Sequence, residues 1–256
     1  MSKALITLIL FFNSAFFSYG QHPVSKPIVK TIFAYGGEIN PVFFKYIITL
    51  TGKEKPRICF IPTASADDNN YINFWFGMST NFQIEPDVMK VFQNTSPDQK
   101  TFEETLLQAD AIIVGGGNTV NMMAIWKAQG IDTALRKAYE KGIILAGGSA
   151  GSLCWFISGP TDSRPKNLTI VNGLGFIEAS HCPHFSSEKD RKPFYEQSVL
   201  KKDMPAGYAC DDLAGMLFKD GKFVKAVSLN KENNVYFVST ANGRIKEENF
   251  AVEIIK

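Results

Sequence analysis

The sequence predicts an α/β fold in which a mostly parallel sheet carries helices on both faces. Three observations predict it. Apolar runs of strand length alternate with helix-length segments from Thr31 to Ala146. Those runs are apolar at every position rather than at alternate ones, as in strands buried on both sides. Two of them end in glycine, at Gly115-Gly116-Gly117 and Gly147-Gly148, and an open sheet of this kind forms its ligand crevice beyond the carboxyl ends of its strands.

The first twenty residues differ from the rest. Lys3 precedes an apolar stretch from Ala4 to Phe12, and Ser18 and Gly20 supply the small residues of a secretory leader cleaved before Gln21. The expected organisation is a signal peptide over 1–20, a linker over 21–30 and a single α/β domain over 31–256. Export to the periplasm or exterior follows, with no stable membrane span after processing.

Thr31 to Tyr35 reads as the first strand, closed by Gly36-Gly37. Asn40 to Thr51 reads as an aromatic helix, with Pro41 suited to its first turn. Arg57 to Thr63 is a strand, Ser65 to Asn70 a polar turn, Tyr71 to Phe82 a helix and Val88 to Phe92 a strand. Ser96-Pro97-Asp98 is expected to cap a helix reaching about Gln108. Ala111 to Val114 is a buried strand that runs into the triple glycine. Two helices follow, Thr119 to Gln129 and Asp132 to Lys141, broken near Gly130, and Ile143 to Ala146 is the next strand. Ser158 to Pro165 reads as a polar loop, Glu188 to about Lys201 as a charged helix capped by Ser186 or Ser187, and Tyr208 to Phe218 as one strand interrupted by two acids. Asp220-Gly221 and Asn242-Gly243 then punctuate a C-terminal β-hairpin region.

Composition narrows the function. A net charge of +2 with no Lys/Arg stripe and no aromatic-basic interleaving argues against nucleic acid. The four cysteines are scattered and set in apolar sequence, which reads as buried thiols rather than a disulfide framework; if any pair, Cys182 and Cys210 are the choice.

The chemistry centres on Gly147-Gly148-Ser149-Ala150-Gly151. An apolar strand that runs into small residues around one Ser, and then into helix formers, is the pattern of a nucleophile elbow. The Ala150 amide, at a helix N-terminus, would face a developing oxyanion. A Ser nucleophile needs a base. His22 sits at the edge of the leader, so the base falls in His181-Cys182-Pro183-His184. In an extended segment His181 and His184 have opposite parity, so one at most faces Ser149. A metal site built from His181, Cys182 and His184 is the lesser alternative, since Pro183 blocks a helical ligand spacing and no second cluster follows. A His base needs a carboxylate behind it, and Asp211, Asp212 and Asp162 are the candidates.

Val114-Gly115-Gly116-Gly117-Asn118-Thr119, the elbow at Ser149 and Pro183-His184-Phe185 together resemble the successive signatures of the peptidase E (α-aspartyl dipeptidase) family of serine peptidases, which includes cyanophycinase. The resemblance covers about Thr31 to Val227. It implies a class I glutamine amidotransferase-like, flavodoxin-like three-layer sandwich, with Ser149 standing where the amidotransferases use Cys. It implies that His184 is the base and that Gly117 and Ala150 supply the oxyanion amides. The family closes its triad with Glu; aligning the apolar flanks puts Asp212 there, with Asp162 and Asp211 as rivals. The expected function is therefore serine-type hydrolysis of short peptides, needing neither cofactor nor metal. Preference for an N-terminal Asp would fall to Arg191, which reads equally as a helix-surface charge. Cyanophycinase-like hydrolysis of acidic peptides, an esterase and a catalytically silent binding protein are the alternatives.

Overall fold

A computed structural model describes residues 27–256. The leader expected over 1–20 and positions 21–26 of the linker lie outside the described residues, and 27–30 run as coil.

The first half alternates as the sequence predicts: β1 (Thr31–Tyr35), α1 (Pro41–Thr51), β2 (Arg57–Ile61), α2 (Asn69–Ser79), β3 (Glu85–Val88), α3 (Phe102–Leu107), β4 (Ala111–Val114), α4 (Thr119–Gln129), α5 (Ile131–Glu140) and β5 (Ile144–Gly148). These strands are parallel in the order β1-β5-β4-β2-β3. Successive side chains of a strand point to opposite faces, so both faces need cover. Phe33 and Tyr35 pack with Phe43, Phe44 and Ile47 of α1 and Trp75 of α2. Ile32 and Ala34 pack on the other side with Met122 and Trp126 of α4 and Leu135 of α5. The result is the three-layer arrangement expected.

Local chemistry sets the helix ends. The Asn40 side chain accepts from the amides of Val42 and Phe43, with Pro41 at the first helical position. Gly130, at φ 71°, ends α4 and returns its amide to Trp126 O, which is the break expected there. Two expected boundaries are corrected. β3 begins at Glu85 rather than Val88, because Glu85 to Val88 pair with Arg57 to Phe60, while the amides of Val91 and Phe92 are taken by the Asp67 carboxylate at 2.5 and 2.7 Å. As an edge strand it tolerates Pro86. α3 begins after Thr101, whose hydroxyl and the Glu104 carboxylate form a capping box, and Ser96 instead closes a turn with Gln99.

The second half departs further. It contains α6 (Ala150–Leu153), β6 (Phe156–Thr161), β7 (Thr169–Asn172), β8 (Ile177–Cys182), α7 (Arg191–Leu200), β9 (Gly207–Cys210), β10 (Ala214–Lys219), β11 (Lys222–Ser228), β12 (Val235–Ala241), β13 (Arg244–Phe250) and β14 (Val252–Ile254). β10, β11 and β14 extend the first sheet beyond β1. The others form a second sheet in the order β13-β12-β9-β8-β6-β7. Half of the expected loop at 158–165 is thus strand β6, and the single strand expected over 208–218 is two strands in two sheets. Asp211-Asp212-Leu213 is the crossing, closed by the Ala214 amide on Asp211 O at 3.0 Å. The charged helix starts at Arg191, not Glu188, and Asp190 occupies its cap position.

One face of the second sheet joins the main core through Phe156, Ile177 and Cys210. α7 covers the other with Tyr195 and Val199 against Cys182, Ala209 and Val238. Asp220-Gly221 and Asn242-Gly243 turn two hairpins with positive φ at all four residues, as two-residue primed turns require. All four cysteines are free and buried, and burial pushes each thiol pKa up. Among the described residues no helix is long and apolar enough to cross a membrane.

Candidate active site

β5 ends at Gly148 and α6 starts at Ala150, so Ser149 occupies the turn between strand and helix. Its backbone, φ 52° and ψ −120°, is one that a residue with a side chain seldom adopts. The glycines around it are required by space. A Cβ on Gly148 would stand 2.0 Å from Gly37 O, and one on Gly151 2.1 Å from Val114 O. The elbow is therefore wedged between β1 and β4, and the strained turn lifts the serine oxygen off the sheet.

His184 follows β8 and Pro183, also with a left-handed backbone, φ 55°. It lies beyond the strand, so strand parity does not govern its direction; the turn does. Its neighbour Phe185 is fully buried beneath α7 and donates its amide to Cys210 O, which anchors the turn to β9. Asp212 lies on the crossing between the two sheets, its carbonyl accepting the Gly37 amide at 3.1 Å. The three side chains line up: His184 Nε2 is 2.8 Å from Ser149 Oγ, and His184 Nδ1 is 2.7 Å from Asp212 Oδ1. An ionised carboxylate only accepts, so Nδ1 carries the proton and Nε2 is left to accept from the serine hydroxyl. The bond from His184 holds the Asp212 pKa below the ordinary carboxylate value, against the opposing effect of burial.

The other candidate acids are engaged elsewhere. Asp211 is buried, and its carboxylate accepts from the amides of Ser186 and Asn234 and from the Tyr236 hydroxyl, tying the segment after His184 to β12. Asp162 stands mostly exposed after β6, 3.3 Å from Arg191 Nη2. Arg191 is not the helix-surface charge that its setting in sequence suggests. Its side chain is 4% exposed, with Nε donating to Glu188 at 2.5 Å and Nη1 to Pro160 O at 3.0 Å.

His181 points away from Ser149, into the interior. Its ring stacks on Phe156, Nδ1 faces Tyr208 O at 3.2 Å and Nε2 faces Ser152 Oγ at 2.9 Å. Burial lowers its pKa to about 3, so it is neutral. The metal alternative at His181, Cys182 and His184 finds no shared focus: among the described residues no three His, Cys, Asp or Glu side chains converge as ligands would.

Beside the elbow, the loop after β4 runs through Gly115, Gly116 and Gly117. Gly117 has φ 131°, and a Cβ there would stand 2.3 Å from Ala64 O. The loop after β6 is stitched onto it by Asn118 Nδ2 donating to Ser163 O and the Val120 amide to Ser163 Oγ, so Thr161 to Ser163 wall that side. Two residues with no sequence motif also enter here. Glu38 follows Gly36-Gly37, and its carboxylate takes a 2.7 Å bond from the Tyr71 hydroxyl, which itself accepts from the Gly116 amide at 3.4 Å. The one signal for Glu38 is position: a charged residue directly after the glycines that close a parallel strand.

The sequence pattern of Peptidase family S51 matches residues 34–226. The chain belongs to that family. It is 39% identical over 225 residues to "Uncharacterized peptidase YgaJ" of Bacillus subtilis (strain 168), an alignment spanning 86% of this chain and 96% of that protein. It is 33% identical over 134 residues to "Peptidase E" of Streptomyces coelicolor, about half of each chain. Among solved structures, a peptidase from an acI-B1 Actinobacterium superposes with a TM-score of 0.68 at 17% identity, covering 89% of this chain and 96% of the other. A putative peptidase E from Listeria monocytogenes EGD-e superposes at 0.57 and 18%, covering 79% and 100%. Those two likenesses carry the fold, which is glutamine amidotransferase-like. The S51 member described here is a serine peptidase, and so a hydrolase.

Proposed function

We propose that this S51 peptidase hydrolyses short peptides with Ser149 as nucleophile, His184 as base and Asp212 as the orienting acid. The observation that carries this is the continuous chain of hydrogen bonds from Ser149 Oγ through the His184 ring to Asp212. Ser149 Oγ attacks the scissile carbonyl carbon as its proton passes to His184 Nε2, and the carbonyl π electrons move onto oxygen. That oxyanion is received by the amides of Gly117 and Ala150. Collapse re-forms the carbonyl and expels the amine, which takes the proton from His184. Water, deprotonated by the same imidazole, then attacks the acyl-serine, and the carboxylic acid leaves as the proton returns to Ser149. Asp212 stays ionised throughout and stabilises the transient imidazolium.

A dipeptide-library hydrolysis screen on the wild type and on Ser149→Ala tests the reading. The variant is expected to lose about a thousandfold or more in kcat/KM while keeping its folded stability. Turnover that survives the substitution sinks it. Paired ester and amide substrates separate a peptidase from an esterase, and an absence of turnover on both leaves a binding protein.

An N-terminal Asp preference, like a cyanophycin-type acidic substrate, needs a cation free to receive a carboxylate. Arg191 is already held by Glu188, Asp162 and Pro160 O. Its place in this reading is to brace the wall after β6 against α7. Arg191→Ala is accordingly expected to lower turnover of Asp-Xaa and Ala-Xaa dipeptides by the same factor; a loss confined to Asp-Xaa assigns specificity to it instead.

A further inference from the structure

We propose that Glu38 receives the free α-ammonium of the substrate, which directs cleavage to the bond after a peptide's first residue. The proposal rests on Ser149 being the nucleophile. Glu38 sits on the exposed lip between β1 and α1, directly after the glycine pair that lies against Asp212 and Gly148. Its carboxylate is fixed at one end only. Tyr71 Oη donates to Oε2, and Tyr71 is itself held by the Gly116 amide and by edge-on packing on Phe60 at 5.1 Å. Burial and the nearby Glu38 charge both raise the Tyr71 pKa, so the phenol remains a donor. Among the described residues Oε1 has no hydrogen-bond partner, and no Lys, Arg or His forms an ion pair with the group.

The free oxygen lies near the nucleophile. A Cβ built on Gly116 would stand 2.6 Å from Glu38 Oε1 and 3.3 Å from Ser149 Cβ. Both distances start from one point, so the oxygen and the serine Cβ lie no farther apart than their sum. A span of that order accommodates one residue of substrate and no more. The amine nitrogen of an N-terminal residue is two bonds, ~2.5 Å, from its own carbonyl carbon. A nucleophile approaches that carbon at ~3 to 3.5 Å, and an ammonium meets a carboxylate at ~2.8 Å. Only the amine of the residue bearing the scissile carbonyl fits; an internal residue offers a neutral amide there and continues into Glu38. Gly116 has no side chain to separate the two groups, which gives that glycine a role beyond the turn.

The test compares the fastest dipeptide from the hydrolysis screen with its N-acetylated form. Binding is measured by titration calorimetry on Ser149→Ala, with and without Glu38→Gln. Hydrolysis is measured on the wild type, Glu38→Gln and Glu38→Asp. The free amine is expected to bind Ser149→Ala at least about tenfold more tightly than the acetylated form, and Glu38→Gln is expected to abolish that preference. In turnover, Glu38→Gln raises KM for the free dipeptide by about tenfold with kcat changed much less, and Glu38→Asp restores part of the loss. Equal handling of the two peptides by the parent protein, or a preference that survives Glu38→Gln, overturns the assignment. Failure of the triad reading registers separately, as hydrolysis persisting in Ser149→Ala.

Discussion

Two histidine–serine pairs lie side by side in this chain, His184 with Ser149 and His181 with Ser152. Their contacts are 2.8 and 2.9 Å, so distance alone does not tell them apart. What differs is the group behind each ring and the medium around it. Behind His184 stands a carboxylate, which lowers the cost of the positive charge the ring must carry during reaction. Behind His181 stands the Tyr208 carbonyl, a neutral acceptor, and the ring is wholly enclosed. His181 donates from Nδ1 to that carbonyl, and its Nε2 meets the Ser152 hydroxyl, which also lies 2.8 Å from Ser149 O; these contacts tie α6 to β8 and β9. Backbone conformation separates them too: Ser149 and His184 both have positive φ, whereas Ser152 and His181 lie within a regular helix and strand. Strain gathers at the pair that meets solvent.

The sharpest way to break this comparison is to delete each hydroxyl in turn. Ser149→Ala removes the nucleophile and leaves no buried group unsatisfied, so activity falls by several orders of magnitude and the urea midpoint holds. Ser152→Ala does the reverse. It strands the Nε2 acceptor of His181 in an apolar interior, at about 1 to 3 kcal/mol of stability, with kcat within a few-fold of wild type. Activity lost in Ser152→Ala at unchanged stability reverses the assignment of the two pairs.

Next in size is the pair of adjacent acids. Asp212→Asn leaves the shape intact, but the side chain can then present an N–H to His184 Nδ1 and favour the wrong tautomer, which is expected to cost about 10⁴ in kcat. Asp211→Asn instead weakens the bonds to the Ser186 and Asn234 amides and the Tyr236 hydroxyl. Its expected signature is a loss of about 1 to 3 kcal/mol in chemical unfolding with a smaller fall in rate. Equal falls in kcat for the two variants at full stability remove the distinction between them.

The parallel half of the molecule was legible because each strand is a solid apolar run and each boundary carries its own chemistry, Asn40-Pro41 at one helix and Gly130 between two others. The misplaced start of α3 was also readable: Thr101 and Glu104 stand at capping-box spacing, and the Ser-Pro-Asp pattern upstream obscured it. Of the second sheet, only the hairpin turned at Asn242-Gly243 was readable. β6 contains Gly159 and Pro160, so it does not resemble a strand until its neighbours supply hydrogen bonds. At the site, the serine and histidine announced themselves through glycine and proline context. Arg191 did not, because the groups that bury it, Pro160 and Asp162, lie about thirty residues upstream. Glu38 carries no pattern at all, only a place at the end of a strand.

The smallest effect reads the buried histidine through its proton binding. In the unfolded chain His181 takes up a proton near pH 6.5, but in the folded protein not until about pH 3. Between those values the unfolded state holds the extra proton, so stability is lost as pH falls through that window and is fully retained above it. Asp212 acts in a lower window: its pKa is depressed, so its contribution is present above ~3.9 and disappears only as pH falls through the still lower folded value. Between pH 7 and 5 the His181 effect therefore stands clear of it. His181→Gln is expected to unfold at lower urea than wild type at pH 7, yet to lose less of its midpoint on going to pH 5. Midpoints that fall in parallel would mean that the buried ring accepts a proton without unfolding, and the physical difference drawn here between a structural imidazole and a catalytic one would no longer hold.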